Sequence, residues 1–342
     1  MGYEEMMMNK NFSIGVDLGG TNLRVAAYGA EGVFLETVNL KTRLADGRHS
    51  VVSDLCDAVL ALQRRHDVAR GCAGIGIGSP GPLELPSGII RNPPNLPGWD
   101  GFDLRHAIES ALEQPVHLEN DANLAALAEQ VAGAGKLQGA ESLCMLTMGT
   151  GVGSGLVLDG KIWHGSSGMG GEAGHIIVEP EGHLCGCGGR GCLEQYASAT
   201  AIARMMAETG RTPDSPREVA QWAIAGDAAA QAVFQRVGRA LAIALTSVVN
   251  TLNLPLYVIG GGASDAWDLF APTMFQELTA RSYIYRLTSP CNALKAEGES
   301  AVAQKTQICR ASLGSDAGLL GACLYGLQHQ SNHAAELEMR IG

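Results

Sequence analysis

The sequence predicts an α/β protein of two related lobes, and three observations carry the prediction. Segments with helical and with strand periodicity alternate along the chain. One strand–glycine-turn–strand unit occurs twice. Glycine makes up 45 of 342 residues, roughly 13% against an ordinary ~7%. No collagen-like period accompanies the excess, so it belongs to turns and ligand loops. Apolar residues are 46% and charged residues 17% of the chain, enough for a core and too apolar for global disorder. The length fits about two domains. A net charge of −11 without a basic block argues against nucleic acid or an anionic membrane as partner.

The N-terminal Met1–Lys10 has no apolar core of a signal peptide, and Met6 stands where myristoylation of Gly2 needs Ser or Thr. Ile14–Asp17, Leu23–Tyr28 and Val33–Val38 read as strands, the first pair joined by Leu18-Gly19-Gly20-Thr21, the second by a turn at Gly29–Gly32. Leu143–Thr147, Gly155–Leu158 and Lys161–Trp163 repeat the pattern about 130 residues later, around Met148-Gly149-Thr150-Gly151-Val152-Gly153 and Asp159-Gly160. Between the repeats, Val51–His66 has helical spacing and Ala73–Ile77 is a short buried strand. Six prolines make Ser79–Trp99 a loop. Asp103 caps a helix to Leu112, Val116–Glu119 is a strand, and Asn120-Asp121 opens a helix to about Ala132. After the second repeat, Ser215-Pro216-Arg217-Glu218 is a capping box. A long helix spans about Ala228–Leu252, a strand Leu256–Ile259 ends in Gly260-Gly261-Gly262, and a last helix runs from Leu319 to Gln328. The apolar stretch Ala240–Gly260 is broken by Thr246, Ser247, Asn250, Asn253 and Pro255, which suits a buried helix and strand and not a membrane span.

Four clusters carry chemistry. Asp17-Leu18-Gly19-Gly20-Thr21-Asn22 has two glycines whose amides suit an anion and a carboxylate suited to Mg²⁺, although the same residues also suit an ordinary hairpin turn. It is no Walker loop, since no Lys follows and a strand comes next. Gly149, Thr150, Gly151 and Gly153 form the matching turn, and the two are read together as grips on one polyphosphate, with Gly260-Gly261-Gly262 as a third turn near a base or ribose. Asn120-Asp121 is either a helix cap or the seat of a general base for an attacking hydroxyl. Finally, His175 and the run Cys185, Cys187 and Cys192 match a closed structural zinc site. His183 is a rival fourth ligand that spacing alone does not eliminate. Glu172 and Glu194 flank the run and suit hydrogen bonds to sugar hydroxyls. Nine cysteines, three of them clustered, favour metal over disulfides and a reduced, cytoplasmic setting.

Asp17-x-Gly-Gly-Thr, Glu172-x-x-His175 and the Cys-x-Cys-Gly-x-x-Gly-Cys-x-Glu run resemble the ROK family of sugar kinases and sugar-responsive repressors, over Ile14 to about Leu327. The resemblance implies an actin-like, hexokinase-type ATPase fold of two lobes around a cleft. It implies residues 1–125 plus a returning helix at about 316–342 as one lobe and residues 126–315 with the zinc loop as the other. ATP with Mg²⁺ is the implied donor and a hexose the acceptor. Asp121 matches the base; Asn120, Glu172, His175 and Glu194 match sugar ligands; His175, Cys185, Cys187 and Cys192 match the ligands of one structural Zn²⁺. The same His is expected to bind zinc through one ring nitrogen and face the sugar with the other. Pro94-Asn95-Leu96-Pro97-Gly98-Trp99 resembles the loop of the glucose-specific members, where the Asn meets a sugar hydroxyl, so phosphorylation of glucose at O6 is expected. N-acetylmannosamine or N-acetylglucosamine kinases are the alternatives. A repressor is disfavoured by the charge and by the 13 residues before Ile14, too few for a DNA-binding domain. A homo-oligomer, dimer or tetramer, is expected. Departures from the family pattern are peripheral: the two tails and an extra stretch at Ser289–Lys305.

Overall fold

The computed structural model describes residues 12–66, 71–93, 95–290 and 305–328. Both tails, and nearly all of the stretch at Ser289–Lys305, lie outside the described residues. The chain divides into two compact units. One gathers the described residues up to Ala128, the segment Trp163–Gly170, and those from Asp316 onward; the other gathers Glu129–Ile162 and Gly171–Ser315. The fold is the mixed α/β architecture expected from the sequence.

In the first unit the strands are β1 (Phe12–Leu18), β2 (Asn22–Gly29), β3 (Phe34–Lys41), β4 (Cys72–Ser79), the short β5 (Leu83–Glu84) and β6 (Ile89–Ile90), and β7 (His117–Asn120). The main sheet has the order β3-β2-β1-β4-β7. Its first three strands form an antiparallel meander, and β4 and β7 run parallel to β1. Ser79–Trp99, expected as loop, contains the β5–β6 ribbon, a correction to the sequence reading. Gly88 with positive φ makes its turn, while Pro82 and Pro86, each lacking an N–H donor, confine β5 to two residues.

Alternation along β1 decides what covers each face. Phe12, Ile14, Val16 and Leu18 join the core beneath α1 (Arg48–His66) and α2 (Leu104–Leu112). Asp103 caps α2 by accepting the His106 N–H at 2.9 Å, as its position in the sequence predicts. Gly15 faces the other way, onto the helix of residues 317–328. A methyl group at Gly15 would sit 2.7 Å from Cys323 N and 2.8 Å from Leu319 O, and one at Gly76 would sit 2.0 Å from Ala322 O. On the helix side, Gly321 lies as close to Leu124 O of α3 (Asp121–Val131). Much of the glycine excess is therefore a packing device that brings backbone onto backbone.

The second unit repeats the first in topology. β8 (Leu143–Met148), β9 (Val152–Leu158), β10 (Lys161–Ile162), β11 (Leu256–Gly260) and β12 (Gln307–Arg310) form a sheet ordered β10-β9-β8-β11-β12. Again three strands meander and two lie parallel to the first. This is the doubling that the two glycine-turn units predict. Around it lie α4 (Ala134–Gln138), α5 (Glu194–Ala197), α6 (Ala199–Ala207), α7 (Pro216–Ile224), α8 (Ala228–Leu252), α9 (Trp267–Arg281) and α10 (Tyr283–Thr288). Helix α8 is long and apolar enough to cross a membrane. Its Val233, Phe234, Val237, Leu241, Leu245 and Val249 are buried in this unit's core instead, and Gly238 lets α9 approach it.

Gly76→Ala should lower stability by about 2–3 kcal/mol or more, because the clash is with backbone that has no rotamer to yield. Gly71→Ala, where a methyl meets nothing within 4 Å, should be near neutral in the same thermal-denaturation experiment.

Candidate active site

In the first unit, β1 ends at Leu18 and β2 begins at Asn22, so Gly19-Gly20-Thr21 is a tight turn closed by Gly19 N–H to Asn22 O at 2.9 Å. Gly19 thus spends its own amide inside the turn, and an anion would meet the amides that follow it. Thr42 Oγ1 donates to Gly19 O at 2.7 Å and holds the turn from the side. Gly20 must be glycine: a methyl there would lie 2.6 Å from Asn95 O. That contact brings the phosphate-type turn and the Asn95 loop together. Asp17 stands half-buried at the end of β1, opposite Arg24 on β2. Burial pushes its carboxyl above the usual range, and the Arg24 cation only partly opposes this. A desolvated carboxylate beside an anion turn is a fitting partner for a hard cation.

Asn120 closes β7 and acts as the cap of α3, its Oδ1 accepting Ala122 N–H at 2.9 Å and Asn123 N–H at 3.2 Å. Capping thus falls mainly to Asn120. With Asn120 taking the helix amides, Asp121 sits in the first turn, where the helix N-terminus favours negative charge. Its Oδ1 touches Ala122 N–H at 2.8 Å. Asn120 is seated against Gly81, whose missing side chain leaves room for the amide.

In the second unit, Gly149-Thr150-Gly151 joins β8 to β9, closed by Gly149 N–H to Gly151 O at 2.9 Å. Gly151 is pressed against Glu194: a methyl would fall 2.2 Å from Glu194 Oε2, which itself accepts Val152 N–H at 3.1 Å. Gly149 and Thr150 also line a largely apolar pocket of about 730 Å³, with Pro216, Ala220, Ile224, Phe234 and Leu269 on its walls and Gly262, Asp265 and Asp268 on its rim. Its size suits a nucleoside. Of the third glycine turn only Gly262 reaches this pocket. Gly261, with positive φ, packs on the Met148 backbone, where a methyl group would fall 2.5–2.7 Å from its atoms, and Gly260 faces Met145 and Ala311. Packing against the protein itself thus accounts for the missing side chains at Gly260 and Gly261. Sequence reading missed the pocket walls on α7 because Ala220 and Ile224 stand at ordinary core spacing; Ile224, 76% exposed, is the telltale.

The cysteine-rich loop folds back on itself through Cys185 N–H to Gly189 O and Val178 N–H to Gly191 O. His175, Cys185, Cys187 and Cys192 present ligand atoms all within 4.8 Å of one another. Cys185 Sγ lies 3.6 Å from His175 Nδ1, and Cys187 Sγ lies 3.7 Å from Cys192 Sγ. A tetrahedron with metal–sulfur bonds of about 2.3 Å has edges of about 3.8 Å, so the spacing and the donor set both fit zinc. His183 does not join this group. Its ring lies by Tyr196 and 3.5 Å from Glu208. Burial and the guanidinium of Arg204 hold its pKa below the ordinary value. His175 directs Nδ1 at the thiols and Nε2 toward Glu172, at 3.9 Å. Desolvation raises the Glu172 carboxyl, opposed by His175 and reinforced by Glu194.

An actin-like ATPase fold with glycine turns in both sheets, a nucleoside-sized pocket and a carboxylate at a helix start defines a phosphotransferase of the sugar-kinase class. The ROK family profile matches residues 13–328, and the chain belongs to this family. The glucokinase of Halalkalibacterium halodurans is 36% identical over 92% of this chain and 94% of its own. Among solved structures, the ROK hexokinase of Thermus thermophilus is 34% identical with a TM-score of 0.77, covering 94% of this chain and 99% of that one. A ROK family glucokinase of Streptomyces griseus, solved with glucose and AMPPNP, is 29% identical with a TM-score of 0.73, covering 93% and 99%.

His175→Ala should lower zinc affinity by more than the ~10–100-fold typical of losing an outer-sphere hydrogen bond, while His183→Ala should leave one zinc per chain. Metal analysis of protein purified without chelator distinguishes the two.

Proposed function

We infer that the protein is an ATP-dependent glucokinase, transferring the γ-phosphoryl group to the 6-hydroxyl of glucose. One observation carries the reading: a single turn lines the apolar pocket and holds Glu194. Gly149 and Thr150 line the nucleoside pocket, and Gly151 and Val152 of the same turn hold Glu194. Donor and acceptor sites are thereby referred to one short piece of backbone, as a reaction governed by positioning requires.

Asp121 accepts the proton of the sugar hydroxyl as its oxygen bonds to phosphorus and ADP leaves. Asn120 and Asn95 orient the sugar from the first unit's loops. Glu172 and Glu194 accept hydrogen bonds from its other hydroxyls, and His175 Nε2 donates to a ring substituent. Amides of the two turns that are not spent within them, at Gly20 and Thr21 and at Thr150 and Gly151, receive phosphate oxygens. Mg²⁺, when bound with ATP, neutralises phosphate charge, and Asp17 is the carboxylate suited to it. The four ligands His175, Cys185, Cys187 and Cys192 leave no open position, so the zinc we assign to them is structural. A cytoplasmic, homo-oligomeric enzyme completes the proposal on the resemblance alone.

The direct test is kcat/KM for glucose against N-acetylmannosamine, N-acetylglucosamine, mannose, fructose and allose with ATP. A clear preference for an N-acetylhexosamine would overturn the substrate. Asp121→Asn should reduce kcat by about 10²–10⁴-fold with glucose binding nearly intact, and a folded variant with near-normal kcat removes Asp121 as base.

Cys187→Ser should weaken zinc binding and glucose binding together while sparing ATP. His175 would hold zinc through Nδ1, and that bond would fix the imidazole tautomer and leave Nε2–H as a donor. Calorimetry with each ligand checks it: equal weakening of both would mean general loosening.

A further inference from the structure

Glu119 is a carboxylate with no exposed surface, and it lies one residue before Asn120. A buried anion is costly unless its lone pairs are filled and its charge is matched. Four donors converge on it. Oε1 accepts Asn120 N–H at 2.8 Å and Asn123 Nδ2 at 2.9 Å. Oε2 lies 2.5 Å from His164 Nε2. The Tyr325 hydroxyl donates from the helix of residues 317–328. These use up the acceptor capacity of a carboxylate.

His164 does not come from the elements around it in sequence. It lies on Trp163–Gly170, a segment that belongs to the first unit although its neighbours on both sides belong to the second. The segment is a closed loop, with Gly170 N–H donating to His164 O at 2.8 Å and Gly168 fitted against Leu85. Two residues beyond Gly170 comes Glu172. Nothing in the sequence singled His164 out: a lone His two residues after a strand gives no signal.

We propose that His164 is a positioning residue for phosphoryl transfer: it holds Glu119 Oε2, so that Oε1 pins the Asn120 amide and with it the β7–α3 junction from which Asp121 projects. The inference rests on the reading of Asp121 as the base. The groups facing the pair are Tyr325 from the last helix and Arg105 from α2, whose charge is felt at Tyr325. The hydrogen bond to Glu119 raises the His164 pKa, burial opposes the rise, and the Glu119 charge adds to it. The sign follows: His164 is charged below its raised pKa, and the pairing weakens as pH rises through that value.

The experiment compares His164→Ala and His164→Gln in the full chain, with Asp121→Asn alongside, by steady-state kinetics across pH. His164→Ala should lower kcat about 10–100-fold, the cost of a slightly misplaced reacting group, with the KM for ATP hardly changed. His164→Gln keeps an N–H donor without a charge, so it should recover part of kcat and lose the alkaline limb of the profile that His164 imposes. The His164 imidazole signal in NMR should titrate lower in Glu119→Gln. Normal kcat in His164→Ala overturns the inference, as does equal slowing of Ala and Gln variants with the alkaline limb intact. If Asp121→Asn is inactive while His164→Ala is fast, only this inference falls. If Asp121→Asn is active, the base assignment falls and this inference falls with it.

Discussion

Backbone-to-backbone contact made possible by glycine is the constraint on which the first unit depends. Residues 317–328 lie against Gly15 on β1 and Gly76 on β4, and Gly321 of the same helix meets Leu124 O on α3. Gly318 of that helix faces the Asp17 carboxylate, its site for a side chain 3.7 Å away. One helix therefore sets the distances among the strand that carries Asp17, the strand beside it, and the helix that begins with Asp121. Larger side chains at these positions would move the elements apart by ångströms. A reaction that depends on positioning loses rate steeply over such distances. Catalytic geometry and glycine content are, in this unit, one property.

Much of this architecture was legible in the sequence, for reasons that differ between elements. The doubled topology was readable because strand, glycine turn and strand are adjacent in the chain, and local patterns survive in sequence. The caps at Asp103 and Ser215 were readable for the same reason, although Glu218 reaches Asp214 N–H and not the Ser215 amide that a capping box would give. The cysteine cluster was readable because loop closure between nearby residues leaves few arrangements. What the sequence hid was non-local. Gly261 looked like a ligand glycine, but its constraint is Met148, more than a hundred positions away. The apolar wall of the nucleoside pocket comes from α7 and α8, whose spacing is that of any core. His164 meets Glu119 across 45 positions.

The proposed zinc ligands and the carboxylates assigned to the sugar share one small region of chain, and this makes the imidazole of His175 its pivot. With Nδ1 turned to the thiols and Nε2 toward Glu172, the ring has two fixed neighbours and one free rotation that satisfies both. Cys185 Sγ also approaches Glu194 Oε1, at 3.5 Å. The metal cluster thus touches the residues assigned to the sugar from two sides. A zinc ion held there would act at closer range than a remote brace, since its charge would alter the field at both Glu172 and Glu194.

Helix α3 is fixed at each end by a fully buried carboxylate, and the two ends are stabilised differently. Glu119, just before the helix, receives donors that include a titratable imidazole. Glu129, near its other end, is held by neutral groups alone: it accepts Ala134 N–H at 2.8 Å, Ser312 N–H at 2.9 Å and Leu313 N–H at 2.8 Å, with the Ser312 hydroxyl at 3.1 Å. Amide dipoles can stabilise an anion as well as a cation does when several converge, and they do not titrate. The two anchors therefore differ in kind: His164, whose pKa is raised by its hydrogen bond to Glu119, serves the end of the helix that carries Asn120 and Asp121, and backbone and hydroxyl dipoles serve the other.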